Sequence, residues 1–114
     1  MKLAIPSQGR DLESLSNDRF ARAELFVIYD LDNDEIVEVV ENNASEAHGM
    51  GPKVSQMLAE KGVNVLILES VGKNAFEVLN AAGIEVYLTK KDKLSNIIEN
   101  YKNGKLEKVE HATH

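Results

Sequence analysis

The sequence predicts an α/β domain built on a mixed five-stranded sheet with helices packed against it. Three observations carry that reading. Runs rich in Val, Ile and Leu at residues 2–6, 25–31, 35–41, 63–68 and 84–88 have the length and composition of strands. Three stretches with apolar residues at helical spacing lie among and after the later runs, and glycines at 62, 83 and 104 stop them. The first three runs have no helix between them, so the order is β-β-β-α-β-α-β-α.

Taken along the chain, Lys2 to Pro6 is an apolar run ended by a proline, and the polar stretch Ser7 to Asp18, with Gly9, reads as a loop. Leu25 to Leu31 and Glu35 to Glu41 flank Asp32-Asn33-Asp34, whose side chains suit a turn, so the pair reads as an antiparallel hairpin. Asn42 to Gly51 is polar and glycine-containing and reads as a loop; Pro52 then suits a first helical turn, with Val54, Met57 and Leu58 on one face. Val63 to Leu68 is almost continuously apolar, as expected of a strand covered on both faces. Phe76 and Leu79 share a face of the next helix, and Ile84 to Leu88 is the fifth strand. Thr89 and Asp92 offer a cap for a last helix carrying Leu94, Ile97, Ile98 and Tyr101 at i, i+3, i+4 and i+7. Right-handed crossovers then make the later strands parallel, and a ribonuclease-H-like three-layer arrangement satisfies the order. Residues 1–104 form a single domain on this reading, and 105–114 a mobile C-terminal tail.

Composition narrows function. A chain of 114 residues that is 43% apolar and 28% charged supplies one core. Its net charge of −6 opposes phosphate backbones, and its 13 basic residues form no stripe with interleaved aromatics, so nucleic acid is not an expected partner. No leader pattern and no apolar run of spanning length occur, which predicts a cytoplasmic protein with no membrane partner. With zero cysteine, any metal species has to be held by His, carboxylate, backbone or a partner.

The residues that could carry enzyme chemistry do not assemble into a motif. The first strand has no acid for a two-metal nuclease, and no Ser, His and Asp fall at a recognisable spacing. Asp30, Asp32, Asp34 and Glu41 imitate the ligand positions of a calcium loop, but Glu35 stands where the sharp turn needs glycine and strands replace the flanking helices. Gly72-Lys73-Asn74 opens a helix beyond a strand end without phosphate-loop spacing, and His111 and His114 sit in the tail. The expectation is a non-catalytic protein.

Binding chemistry concentrates at Ala47-His48-Gly49-Met50-Gly51-Pro52. Unpaired N–H groups and the dipole at a helix start favour an anion, Gly49 and Gly51 let backbone approach a bulky ligand, and the neutral imidazole of His48 can coordinate iron. An exposed loop histidine and glycines that merely turn the chain are the bland alternative.

Four pieces in order, Lys2-Leu3-Ala4-Ile5-Pro6, Arg19 to Phe26, His48 to Lys53, and Gly72 to Phe76 with Ala82-Gly83-Ile84, resemble the dinitrogenase iron–molybdenum cofactor biosynthesis family. The resemblance implies a ribonuclease-H-like fold and a small accessory protein that binds or carries an iron–molybdenum cofactor or its iron–sulfur precursors. It also implies a cluster-assembly or nitrogenase-like partner. Family members often show His-Phe-Gly-Arg-Ala with the histidine as candidate cluster ligand; here the stretch is Arg19-Phe20-Ala21-Arg22-Ala23. A guanidinium cannot ligate iron but can pair with an anionic cluster through several N–H donors, so Arg19 and Arg22 become electrostatic contacts and His48 the remaining metal-ligand candidate. The expected site therefore joins Arg19 and Arg22 to His48, Gly49 and Gly51 around a transiently bound iron–sulfur or iron–molybdenum cluster. A protein-interaction or regulatory module that uses the same loops without metal is the alternative, and the sequence leaves the oligomeric state open.

Overall fold

The computed structural model describes residues 1–20, 22–42 and 50–110, so His48 and Gly49, like His111 and His114, lie outside the described residues. The elements are β1 (Lys2–Ser7), β2 (Leu25–Asp30), β3 (Glu35–Glu41), α1 (Met50–Glu60), β4 (Val63–Leu68), α2 (Lys73–Ala81), β5 (Glu85–Leu88), α3 (Leu94–Lys102) and β6 (Glu107–Lys108). They form one mixed sheet of order β3-β2-β1-β4-β5-β6. β1, β2 and β3 pair antiparallel in sequence, whereas β4 joins β1 and β5 joins β4 in parallel.

The near-continuous apolar strands are explained by helices on both faces of the sheet. Ala4, Phe26, Ile28, Leu66 and Leu68 face Val54 and Leu58 of α1 and Leu79 of α2. Their neighbours Leu3, Ile5, Val27, Val65 and Ile67 point the other way, onto Leu94, Ile97 and Ile98 of α3. The period-two alternation thus feeds two cores from the same strands.

Helix stops behave as their residues require. Gly62, Gly83 and Gly104 all have positive φ, between 70° and 79°. At Gly83 the left-handed residue lets its own N–H reach Asn80 O and the following Ile84 N–H reach Leu79 O, closing α2 with the pattern expected of a glycine after the last turn. The Asp30 to Glu35 turn is held by Asp30, which accepts from the Asp32 N–H and the Asn33 carboxamide, so its acids serve the hairpin.

Three expectations change. α1 begins at Met50, ahead of Pro52, which places Gly51 inside the first helical turn instead of in a loop; proline is tolerated there because first-turn N–H groups have no intrahelical acceptor. The strand opening the chain extends through Pro6 to Ser7, beyond Ala4, the last β1 residue paired with β4. The sheet has six strands, not five. Residues read as part of a mobile tail form β6, which pairs antiparallel with Tyr87 and Leu88, and the Val109 N–H donates to Val86 O at 2.8 Å while its side chain is buried. A two-residue strand is too short to show periodicity, so only Leu106 and Val109 could have signalled it.

The segment between β1 and β2 is tied down at several described residues. Gln8 N–H donates to Leu15 O, and Asn17 N–H to Pro6 O. Leu94 and Ser95, whose N–H groups at the start of α3 have no intrahelical acceptor, donate to Ser14 O and Leu12 O. The turn is so close that a Cβ on Gly9 would overlap Ser14 Oγ.

Phe26 is fully buried between sheet and helices, and Phe26→Ala is expected to lower unfolding free energy by about 3–5 kcal/mol in denaturant titration. A second expectation concerns acid. The Lys102 ammonium and the Tyr29 hydroxyl bond the Asp34 carboxylate and hold its carboxyl below the ordinary value. A depressed carboxyl contributes stability above its unfolded value, near 3.9, and loses it as pH falls through the lower folded value. Thermal midpoints should therefore drop below about pH 4, and Asp34→Asn should remove part of that drop.

Candidate functional site

β1, β3, β4 and β5 run in one direction, so their carboxyl ends share one edge of the sheet with the start of β2. The order in which strands are added reverses between β1, from which the chain moves outward to β2 and β3, and β4, which it reaches only after crossing back through α1. Ligands of open α/β sheets bind at such an edge, near such a switch.

A cavity of about 440 Å³ opens there, lined by Ser7, Gln8, Asn17, Asp18, Arg19, Arg22 and Glu24. The local sequence explains how the arginines come to it. Phe20 packs edge-on against Phe26, with ring centroids 6.1 Å apart, and Ala23 is fully buried, anchoring the segment from its apolar side. The Ala23 N–H closes a turn onto Phe20 O at 3.1 Å. Arg22, between these anchors, and Arg19, just before them, stay exposed at the cavity.

Behind them the wall is held by hydrogen bonds. Asn17 Oδ1 accepts the Arg19 N–H at 2.9 Å, and Gln8 Nε2 donates to Ser16 O at 3.0 Å. Ser7, at the end of β1, is 1% exposed; its hydroxyl donates to Gly9 O at 2.6 Å and accepts the Gly9 N–H at 3.1 Å.

Neither guanidinium forms an ion pair or side-chain hydrogen bond among the described residues. Each carries five N–H donors in a planar fork, so both are available to an anion. Asp18 and Glu24 line the same cavity, and their carboxylates offset the cationic field, favouring a ligand that meets the arginines by directed hydrogen bonds over one drawn by net charge alone.

Sequence-predicted residues distribute unevenly. Arg19 and Arg22 come together in one cavity. Asn42, just beyond β3, donates its N–H to Glu24 O at 2.8 Å, so the chain enters residues 43–49 from the cavity rim. Gly51 lies in the first turn of α1, while His48 and Gly49 lie outside the described residues. Lys73 begins α2 after Gly72, which has no side-chain cap, and does not line the cavity. The Asp30 to Asp34 turn sits at the opposite edge of the sheet, and among the described residues no group of three or more His, Cys, Asp or Glu could hold a metal ion. No helix among the described residues is long and apolar enough to cross a membrane.

Gln8, Asn17, Asp18 and Glu24 were not singled out by the sequence. Their types are common in loops, and only the pairing of β1 with β2 makes them neighbours. A second cavity, of about 420 Å³, lies at the end of β5, with Lys90, Lys105, Asp92, Glu107, Leu88 and Leu106 among its lining residues.

Known proteins share this architecture over nearly its full length. A protein of uncharacterized function from Methanocaldococcus jannaschii is 34% identical over 113 residues, covering 96% of this chain and 92% of its own. The solution structure of a Thermotoga protein described as a candidate NifB protein is 49% identical, with a TM-score of 0.85 over 99% of this chain and 97% of that one. The apo form of the orange protein from Desulfovibrio gigas is 29% identical, with a TM-score of 0.92 over 99% and 96% of the two chains. The sequence profile of the dinitrogenase iron–molybdenum cofactor family matches residues 1–104, and the chain belongs to that family.

Proposed function

We propose that this protein is a non-catalytic carrier that holds an anionic iron–sulfur or iron–molybdenum cluster in the cavity bearing Arg19 and Arg22, with His48, Gly49 and Gly51 as its further ligand contacts. The observation that supports this best is the pair of guanidinium groups that form no ion pair among the described residues, in a cavity whose rim holds Asn42, the residue before the 43–49 segment. Two planar forks with fixed donors suit the sulfide and oxygen surface of a polynuclear anion. With zero cysteine in the chain, the cargo is held without thiolate, by charge and hydrogen bonds, with the His48 imidazole as the metal-ligand candidate. Weak ligation matches a carrier, which has to release what it binds to a cluster-assembly or nitrogenase-like partner. Family membership favours this reading over a metal-free interaction module. The strand order β3-β2-β1-β4-β5 likewise supports describing the fold as ribonuclease-H-like, and a cytoplasmic setting belongs to the same proposal.

Anaerobic titration with isolated iron–molybdenum cofactor tests the carrier. Co-elution on gel filtration and an altered visible spectrum are expected. His48→Ala should weaken binding, and Arg19→Ala combined with Arg22→Ala should weaken it at least about tenfold, the size of a lost charge-assisted hydrogen bond. Affinity should also fall as salt is raised. Absence of co-elution with an unchanged spectrum would refute the proposal, and capture of one protein regardless of chelator would point to the metal-free module.

A further inference from the structure

Three residues far apart in sequence meet behind the arginine cavity. Ser16, 1% exposed, donates its hydroxyl to Glu69 Oε2 at 2.9 Å and accepts the Asp92 N–H at 3.3 Å. Lys91 Nζ donates to Ser16 O at 3.1 Å and to Glu69 Oε2 at 3.3 Å. Glu69 directly follows β4, and Lys91 lies between β5 and α3. Together they bridge the loop after β1, which pairs Ser16 with Ser7, to the end of β4.

The Ser16 carbonyl is where this cluster meets the cavity. It accepts from Lys91 and also from Gln8 Nε2 at 3.0 Å, and Gln8 lines the cavity. A carbonyl only accepts, so the Gln8 carboxamide must turn its nitrogen inward. The next residue, Asn17, fixes its own N–H on Pro6 O and takes the Arg19 N–H on its side chain. Hydrogen bonds therefore tie Glu69 to Ser16, and the next residue in the chain, Asn17, to the Arg19 backbone. The Glu69 side chain is 16% exposed, so its partly desolvated charge depends on Ser16 and Lys91 and resists displacement.

We propose that Glu69 is a positioning residue: through Ser16 and Lys91 it holds the Gln8, Asn17 and Arg19 side of the cavity in one arrangement before any ligand arrives. The functional consequence rests on the carrier reading; the ordering of the loop does not. Wall groups set in advance lose less freedom on binding, which raises affinity without a new contact.

Amide hydrogen exchange followed by NMR on the ligand-free protein, combined with titration by isolated iron–molybdenum cofactor, tests this in wild type, Glu69→Ala and Glu69→Gln. In Glu69→Ala the Ser16 and Asn17 amides should exchange about tenfold faster while Ile28 and Leu66 in the sheet keep their wild-type protection. Cofactor affinity should fall about tenfold with it. Glu69→Gln retains a carbonyl acceptor and should restore most of both. Lys91→Met, which leaves the β4 end intact, should loosen the same two amides. Unchanged exchange at Ser16 and Asn17 in Glu69→Ala would overturn the proposal, as would equal acceleration of the sheet amides, which marks global destabilisation. Should wild type bind no cofactor, the carrier reading fails, and the exchange pattern alone still decides the role of Glu69.

Discussion

Burial of both faces of the central strands is the constraint from which the remaining structure follows. Leu3, Ile5, Val65 and Ile67 are consumed by the α3 side and Ala4, Leu66 and Leu68 by the α1 and α2 side, leaving no face of β1 or β4 for a ligand. Polar chemistry is therefore confined to the edge where strands end. Because four strands share one direction, that edge collects the connections that follow β1, β3, β4 and β5. The arginine cavity and the Glu69 cluster are both products of this geometry, on either side of the end of β1.

How much of this was legible depended on how far each feature reached along the chain. Helix ends were read correctly from Gly62, Gly83 and Gly104 because a left-handed residue is a local demand that glycine alone meets without strain. The hairpin was legible from its acidic turn, and the calcium-loop resemblance fell to the strands on either side of it. β6 was not legible, since its pairing with β5 depends on where α3 delivers the chain. Gly51 reads as the end of a polar loop, yet the helix already begins at Met50, because Pro52 marks a first helical turn without fixing which of its positions the proline holds.

The candidate site divides in the same way. Arg19 and Arg22 stand out through their contrast with Phe20 and Ala23, which the core consumes, and through a segment resembling a known family. The residues behind them do not. Ser16 and Glu69 are 53 positions apart, and serine, glutamate and lysine are common enough that no spacing rule would select them. Contacts of that range are created by parallel crossovers, where β4 is laid beside β1 after two intervening strands and a helix.

The account depends on one convergence: the chain leaving Asn42 at the cavity rim must return His48 to the arginines. Amide and side-chain chemical-shift mapping during anaerobic addition of isolated iron–molybdenum cofactor reads that convergence directly. Shifts grouped at Gln8, Asn17, Arg19, Arg22 and His48, with the Asp30 to Asp34 turn unmoved, are what the account predicts. Shifts confined to the far turn or the second cavity, or an unperturbed His48 beside perturbed arginines, would contradict it.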